Sequence, residues 1–476
     1  KSKEAIPPPS NIRSASTGES TTRNEAEGRD KPIPPKPELP LSKTRRQPNR
    51  PAAFDMFADD SGSLLNLDSV DVARREQLAQ AALREQREQQ DSKDDEGFYQ
   101  LRPGEEMNQG KYTILRQAGK GVFSTVAWAK VGSSSSKAGE EQNQGQNEGE
   151  ATVQRVAIKL IRDNPVMIRA AQREIESMQQ IHSASAPTNT QSSLFELGKS
   201  YMLKLHDSFS HKNHLCLVFE AMDMDLREVL NTVGRGHGIS IGAIRLYAKQ
   251  LLAALYTLKS MKLVHADIKP DNILIHESKS HVKLCDFGSV MHMNHATSAS
   301  SPYFFSRFYR APEIILGAPF GPSADMWALG VTLYELYTGK FAFPGKTNND
   351  MLWKIINTSG MPPSRMLRKS QFRDAYFDST NQFFSLMLDG DTPGGQTTYR
   401  QMNVPRRSAL SLFDTSLGVE ILEAAKKEKG VLDTVQSMKT ANLFANLISQ
   451  MLTMDDSKRI TPEEAMNHPF FDIKES

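Results

Sequence analysis

The sequence predicts an α+β fold: an antiparallel sheet with one helix, then a mainly helical region, all preceded by a long polar tail. Three observations predict it. Short apolar runs of strand length cluster between residues 112 and 220, separated by glycine-containing or polar turns. From Ile244 onward the apolar residues fall instead at three- and four-residue steps, the period of a buried helix face. The hydrophobic share of the 476 residues is only 38%, with a mean hydropathy of −0.49, which fits a normal core diluted by polar sequence.

The tail is residues 1–95. Pro7-Pro8-Pro9 and the run from Lys31 to Pro40 favour extended polyproline II, as a solvated spacer or as a ligand for an aromatic-lined groove. Lys43-Thr44-Arg45-Arg46 is a short basic cluster of the nuclear-import kind. Residues 69–90 are rich in Ala, Leu, Glu, Gln and Arg and predict a short isolated helix with a thin apolar stripe.

A first lobe is expected over 96–222. Tyr112–Leu115 and Val126–Ala129 read as strands flanking Gly119-Lys120-Gly121-Val122-Phe123-Ser124, a turn whose glycines let backbone N–H groups approach phosphates. Residues 132–152 are a low-complexity insertion. The next strand, Val156–Ile161, carries Lys159 among apolar neighbours, where an unpaired ammonium is costly. Ile168, Ala171, Ile175, Met178 and Ile181 then mark a helix face that includes Glu174, the natural partner, while Glu176 points away. A polar loop is expected from Ser183 to about Lys199, with strands at Leu203–Leu205 and Leu215–Glu220. Ala221–Asp225 reads as a connector.

The second lobe is expected over 223–476. Ile244–Met261 is an amphipathic helix delivering Val264-His265-Ala266-Asp267-Ile268-Lys269-Pro270-Asp271-Asn272, a loop that sets a carboxylate, an ammonium and an amide within a few residues. Val282–Cys285 is a strand delivering Asp286-Phe287-Gly288. Ala311-Pro312-Glu313 and the helix beginning at Asp325 follow, with Glu313 expected to pair with Arg459 and Asp325 to hold the backbone of the Asp267 loop.

The ordered set GKGVFSTV, VAIK, REIE, HADIKPDN, DFG and APE resembles the protein kinases. The stretch Tyr303–Glu313 is similar to the CMGC group, and so is a long insertion in the second lobe at about 346–430. GVFS, HADIKPDNIL, LCDFGS and SRFYRAPEI resemble, within it, the pre-mRNA-splicing kinases of the PRP-four type, relatives of the DYRK kinases. The resemblance implies a bilobal protein kinase fold, ATP and Mg2+ as cofactors, and serine/threonine specificity. Asp267 would accept the substrate proton and Lys269 neutralise the γ-phosphate, with Asn272 and Asp286 as metal ligands. Lys159, held by Glu174, would position the α- and β-phosphates. Nucleotide contacts are expected from Gly119, Lys120, Gly121, Val122, Phe123, Ser124, Val126, Ala157, Phe219, Glu220, Met222 and Leu274.

The family carries Arg where this chain has Ala266, so phosphate on Tyr303 is expected to be received by Arg307 and Arg310. The implied setting is nuclear, with spliceosomal protein substrates and a monomeric kinase domain. A scaffold docking through the tail, or a DYRK- or cyclin-dependent-like kinase with other substrates, are the alternatives. A net charge of +2 gives no reason to expect direct nucleic-acid binding, and no apolar stretch reaches the roughly 18 residues of a membrane span. Cys216 and Cys285 sit in apolar strand-like runs and read as core residues of a reducing compartment.

Overall fold

Six antiparallel strands build one sheet in the order β1-β2-β3-β4-β6-β5. They are β1 (Glu106–Met107), β2 (Tyr112–Lys120), β3 (Ser124–Val131), β4 (Arg155–Ile161), β5 (Leu205–His211) and β6 (His214–Glu220). The computed structural model describes residues 94, 96–132, 154–295, 305–388, 397–401, 416–427 and 434–473. The readings made for residues 1–93, for nearly all of the insertion at 132–152 and for Tyr303 lie outside the described residues.

Strand β4 decides which face does what. Its period of two sends Val156, Ile158 and Leu160 into an apolar cluster with Ile114, Ala127 and Val218, and leaves Ala157 and Lys159 on the opposite face. Helix α1 (Pro165–Ser183) covers that opposite side. Asn164 caps it, its Oδ1 accepting from Val166 N at 2.9 Å, and Pro165 opens the first turn, where no N–H is missed. Its buried residues Ala171, Glu174, Met178 and Ile181 recur at helical spacing, so Glu174 is carried inward with them.

Two local readings need correction. The stretch taken as a polar loop up to Lys199 contains a helix, α2 (Ser192–Ser200), whose only buried residues are Phe195 and Gly198. Two buried positions are too few to show a period; long-range packing holds it instead. Thr257 Oγ1 donates to Phe195 O at 2.8 Å, and a Cβ at Gly198 would stand 2.1 Å from both Ala253 O and Thr257 Oγ1. Likewise the strand expected at Leu203–Leu205 starts only at Leu205. Leu203 N donates to Leu284 O at 2.8 Å, which ties this stretch to the second lobe.

The second lobe is helical around α3 (Ile241–Ser260), α4 (Ser323–Thr338), α5 (Asn348–Ser359), α6 (Ser416–Lys427) and α7 (Thr434–Met451). Helix α3 begins three residues before the expected Ile244 because Ser240 Oγ accepts from Ala243 N. Helix α4 is buried from Ala324 to Thr338 and approaches α7 at Gly330, where a Cβ would lie 2.9 Å from Met451 Cβ.

Short strands β7 (Met224–Asp225), β9 (Ile273–Ile275) and β10 (Val282–Leu284) pair in the order β10-β9-β7, and β8 (Leu263–Val264) pairs with β11 (Met291–His292). Within 346–430 the described residues include α5, a short helix (Ser364–Lys369), the hairpin β12 (Phe384–Leu388) to β13 (Thr397–Gln401), and α6. One apolar cluster runs from α1 through Phe287 to the helices of the second lobe. The architecture is thus the two-lobed α+β arrangement expected. Both cysteines are free, and no described helix is long and apolar enough to cross a membrane.

Candidate active site

Between the lobes lies a cavity of about 300 Å³ lined by Gly119, Val126, Ala157, Lys159, Phe219, Glu220, Met222, Leu274 and Asp286, among others. Lys120, Gly121, Val122, Phe123 and Ser124 do not line it. The hairpin turn stands above, closed by Gly121 N donating to Ser124 O at 2.9 Å, with Val122 and Phe123 exposed. Sequence reasoning missed Trp128 and Leu203, which also face the cavity. Trp128 was findable: it pairs with Ala157 across β3 and β4 and lies two residues from Val126, hence on the same face.

Lys159 Nζ lies 2.7 Å from Glu174 Oε2 and 3.0 Å from Oε1. Burial penalises the ammonium, but the carboxylates of Glu174 and Asp286 outweigh that penalty and raise its pKa, so it is held charged. Lys159→Met is expected to lower phosphoryl transfer about 10²–10³-fold. It also leaves Glu174, 5% exposed, without its cation, at a cost of about 1–3 kcal/mol. Adding Glu174→Gln should restore most of the melting temperature and none of the activity. An unchanged melting temperature in the single variant would contradict the pair as the anchor of α1.

The loop after β8 is held from beneath. Asp325, at the start of α4, accepts from His265 N (2.7 Å) and Ala266 N (3.0 Å). Burial pushes its carboxyl up to about 7, against the pull of those two N–H groups. Their grip stabilises Ala266 at a φ of +70°, a left-handed conformation that is unfavourable for any residue with a Cβ. His265 Nδ1 accepts from Asp267 N (3.4 Å), so its Nε2–H donates to Cys285 O (3.1 Å). Burial lowers its pKa and keeps the ring neutral. Cys285 N also donates to Asn272 O at 3.0 Å, which fixes Asp286 relative to the loop. Phe287 is buried edge-on to His265 at 5.3 Å, and its turn packs against α1.

Asp267 sits at the centre. Its Oδ2 accepts from Lys269 Nζ (2.7 Å) and Asn272 Nδ2 (2.8 Å), and Lys269 Nζ also reaches Ser306 Oγ (3.0 Å). Its Oδ1 is buried and has no hydrogen-bond partner among the described residues. A buried acceptor of this kind is free, among the described residues, to take a donor hydrogen. Asn272 spends its Nδ2 on Asp267, which leaves its Oδ1 as the acceptor of the amide. With the Asp286 carboxylate this makes a hard-oxygen donor pair of the kind Mg2+ takes alongside phosphate oxygens. No group of three His, Cys, Asp or Glu side chains able to hold a metal alone occurs among the described residues.

Arg307 and Arg310 line a second cavity, of about 780 Å³, beside Lys269 and Ser306. Arg307 is exposed and donates to Lys346 O (3.0 Å). Arg310 is buried and donates to Phe305 O (2.9 Å) and Asn348 Oδ1 (2.8 Å). Below them Glu313 and Arg459 form the expected pair, bidentate at 2.6 and 2.9 Å, with both side chains fully buried.

A model described as the protein kinase domain matches residues 146–471. The chain belongs to the protein kinase family. This kinase is 36% identical over 449 residues to "Serine/threonine-protein kinase prpf4B" of Dictyostelium discoideum, across 92% of this chain and 49% of that one. To "Serine/threonine-protein kinase prp4" of Schizosaccharomyces pombe it is 36% identical over 388 residues, covering 80% and 71%. To "Dual specificity protein kinase YAK1" of Saccharomyces cerevisiae it is 30% identical over 386 residues, covering 78% and 43%. The kinase therefore spans about half the length of the first of these relatives.

Proposed function

We propose that the kinase transfers the γ-phosphoryl group of ATP to serine and threonine hydroxyls of proteins of the pre-mRNA splicing machinery, in the nucleus. The observation that carries the chemistry is Asp267, one oxygen clamped by Lys269 and Asn272, the other buried and without a hydrogen-bond partner among the described residues, in the same molecule as the Lys159–Glu174 pair. Asp267 Oδ1 orients the incoming hydroxyl and takes its proton as the oxygen–phosphorus bond forms. Lys269 and Lys159 stabilise the charge gathering on the phosphoryl oxygens as the β,γ-bridging P–O bond breaks and ADP departs. Mg2+ bound through Asn272 and Asp286 would neutralise the same phosphates. The splicing assignment rests on the resemblance to the two most similar relatives reported above.

Phe219 is 5% exposed and lines the nucleotide cavity, so Phe219→Gly should admit a base-enlarged ATP analogue that the wild type rejects. Labelling nuclear extract with that analogue is expected to mark splicing factors on serine and threonine. A set of labelled proteins unrelated to splicing would overturn that assignment and leave the phosphotransferase reading in place.

Autophosphorylation of Tyr303, with Arg307 and Arg310 receiving the phosphate, completes the proposal. Mass spectrometry of bacterially expressed protein should find phosphotyrosine at 303 in the wild type and none in Asp267→Asn. Phosphate at 303 in the variant would sink the autocatalytic route.

A further inference from the structure

The glycine-containing turn has little packing of its own. Val122 is 68% and Phe123 61% exposed, and nothing lies within 4 Å of a Cβ built at Gly119 or Gly121. Such a segment samples open positions unless something outside it holds it. The segment leading into the first lobe supplies that hold, and it lies N-terminal to the stretch matched by the family model.

Lys120, the last residue of β2, carries its ammonium 3.1 Å from Asp94 Oδ2 and 4.1 Å over the ring of Phe98. The other side of the turn is held through Arg162. Its backbone N donates to Phe123 O at 3.0 Å, while its guanidinium stacks 4.8 Å from the same Phe98 ring and donates to Glu96 O. Asp163 N donates to Gly97 O at 2.8 Å, and a Cβ at Gly97, whose φ is +85°, would lie 3.1 Å from Asp163 O. Phe98 is 5% exposed, sandwiched between the two cations. The next residue anchors the segment. Tyr99 OH donates to Glu105 Oε1 (2.7 Å), which also accepts from Lys212 Nζ (2.7 Å), and the Tyr99 ring sits edge-on to His214 at 5.1 Å.

We infer that Asp94 and Phe98 form a latch that positions the glycine-containing turn over the nucleotide, so that they are positioning residues for ATP although neither lines its cavity. The Lys120–Asp94 ion pair is partly exposed and worth little alone. The buried ring gripping one cation from each side of the turn is what makes the hold effective. The charge of Lys120 is spent on the latch, which explains why Lys120 is absent from the cavity lining.

The inference rests on the kinase reading, and a binding measurement separates the two. Titrating the full chain with fluorescent mant-ATP and Mg2+ should show affinity about 3–10-fold weaker in Phe98→Ala and about 2–3-fold weaker in Asp94→Ala. In both variants kcat at saturating ATP and KM for the protein substrate should stay at wild-type values. Asp94→Ala and Lys120→Ala should combine non-additively in a double-mutant cycle. Should Phe98→Ala fail to fold, Asp94→Ala and the cycle decide alone. Wild-type affinity in folded latch variants, tighter binding, or an additive cycle overturns the latch alone. A wild-type chain that bound no mant-ATP would overturn the kinase reading and the latch with it.

Discussion

Asp267→Asn is expected to lower phosphoryl transfer by about 10²–10⁴-fold, the range in which a positioned general base contributes, while ATP binding stays near wild type. The substitution is close to isosteric and leaves an oxygen for Lys269, so the loop should keep its shape. What changes is proton affinity: an amide cannot take the hydroxyl proton, and with its oxygen kept by Lys269 and Asn272 it points N–H at the attacking oxygen. Asp267 does not line the cavity proposed for the nucleotide base, whose walls include Ala157, Leu274 and Phe219. Loss of turnover without loss of binding is therefore the signature, and nucleotide titration beside steady-state kinetics reads both. Equal losses in affinity and rate would mean that the residue holds the cleft together and does no chemistry.

Glu313→Ala is expected to destabilise the fold by about 3–5 kcal/mol, with a large fall in melting temperature. Arg459 is wholly buried and spends its other donors on Ser323 O (2.7 Å) and Thr453 O (3.1 Å), with its guanidinium 5.2 Å over Trp327. Removing Glu313 strands that charge in the core with no route to water. The pair is far more buried than Lys159–Glu174, whose lysine side chain is 22% exposed, so its loss should cost more. Glu313→Ala/Arg459→Met should recover part of the loss, because the uncompensated charge goes with it. Thermal denaturation of the three proteins reads the cycle. A melting temperature within a degree or two of wild type for Glu313→Ala would contradict this account of the pair.

Residues whose partners lie on a periodic element were legible in the sequence. Lys159 stood out as a charge in an apolar strand, Glu174 as the acid on a buried helix stripe, and Asp325 and Glu313 through the motifs that carry them. The passage from strands to helices was legible in the change of hydrophobic period near residue 240, and the division at 222/223 in the connector Ala221–Asp225. What escaped depends on contacts between distant segments. Helix α2 buries too little to show a pattern and is held by Thr257 and by the space at Gly198. The latch joins Asp94 to Lys120 and Phe98 to Arg162, and no local period reports such pairings. Ala266 read as a missing cation, whereas its left-handed backbone, fixed by Asp325, shows only in three dimensions. Arg310 read as a phosphate receiver beside Arg307; that it is also held by Phe305 O and Asn348 shows only in the fold.

The central claim is that Asp267 Oδ1 receives a hydroxyl proton during phosphoryl transfer. Single-turnover transfer of labelled γ-phosphate to serine and threonine of a splicing-factor substrate, measured at saturating ATP for wild type and Asp267→Asn, tests it most directly. The account predicts rapid transfer by the wild type and a rate lower by about 10²–10⁴-fold in the variant at matched nucleotide occupancy. Equal transfer rates at matched occupancy, or no transfer by the wild type with ATP bound, would contradict it.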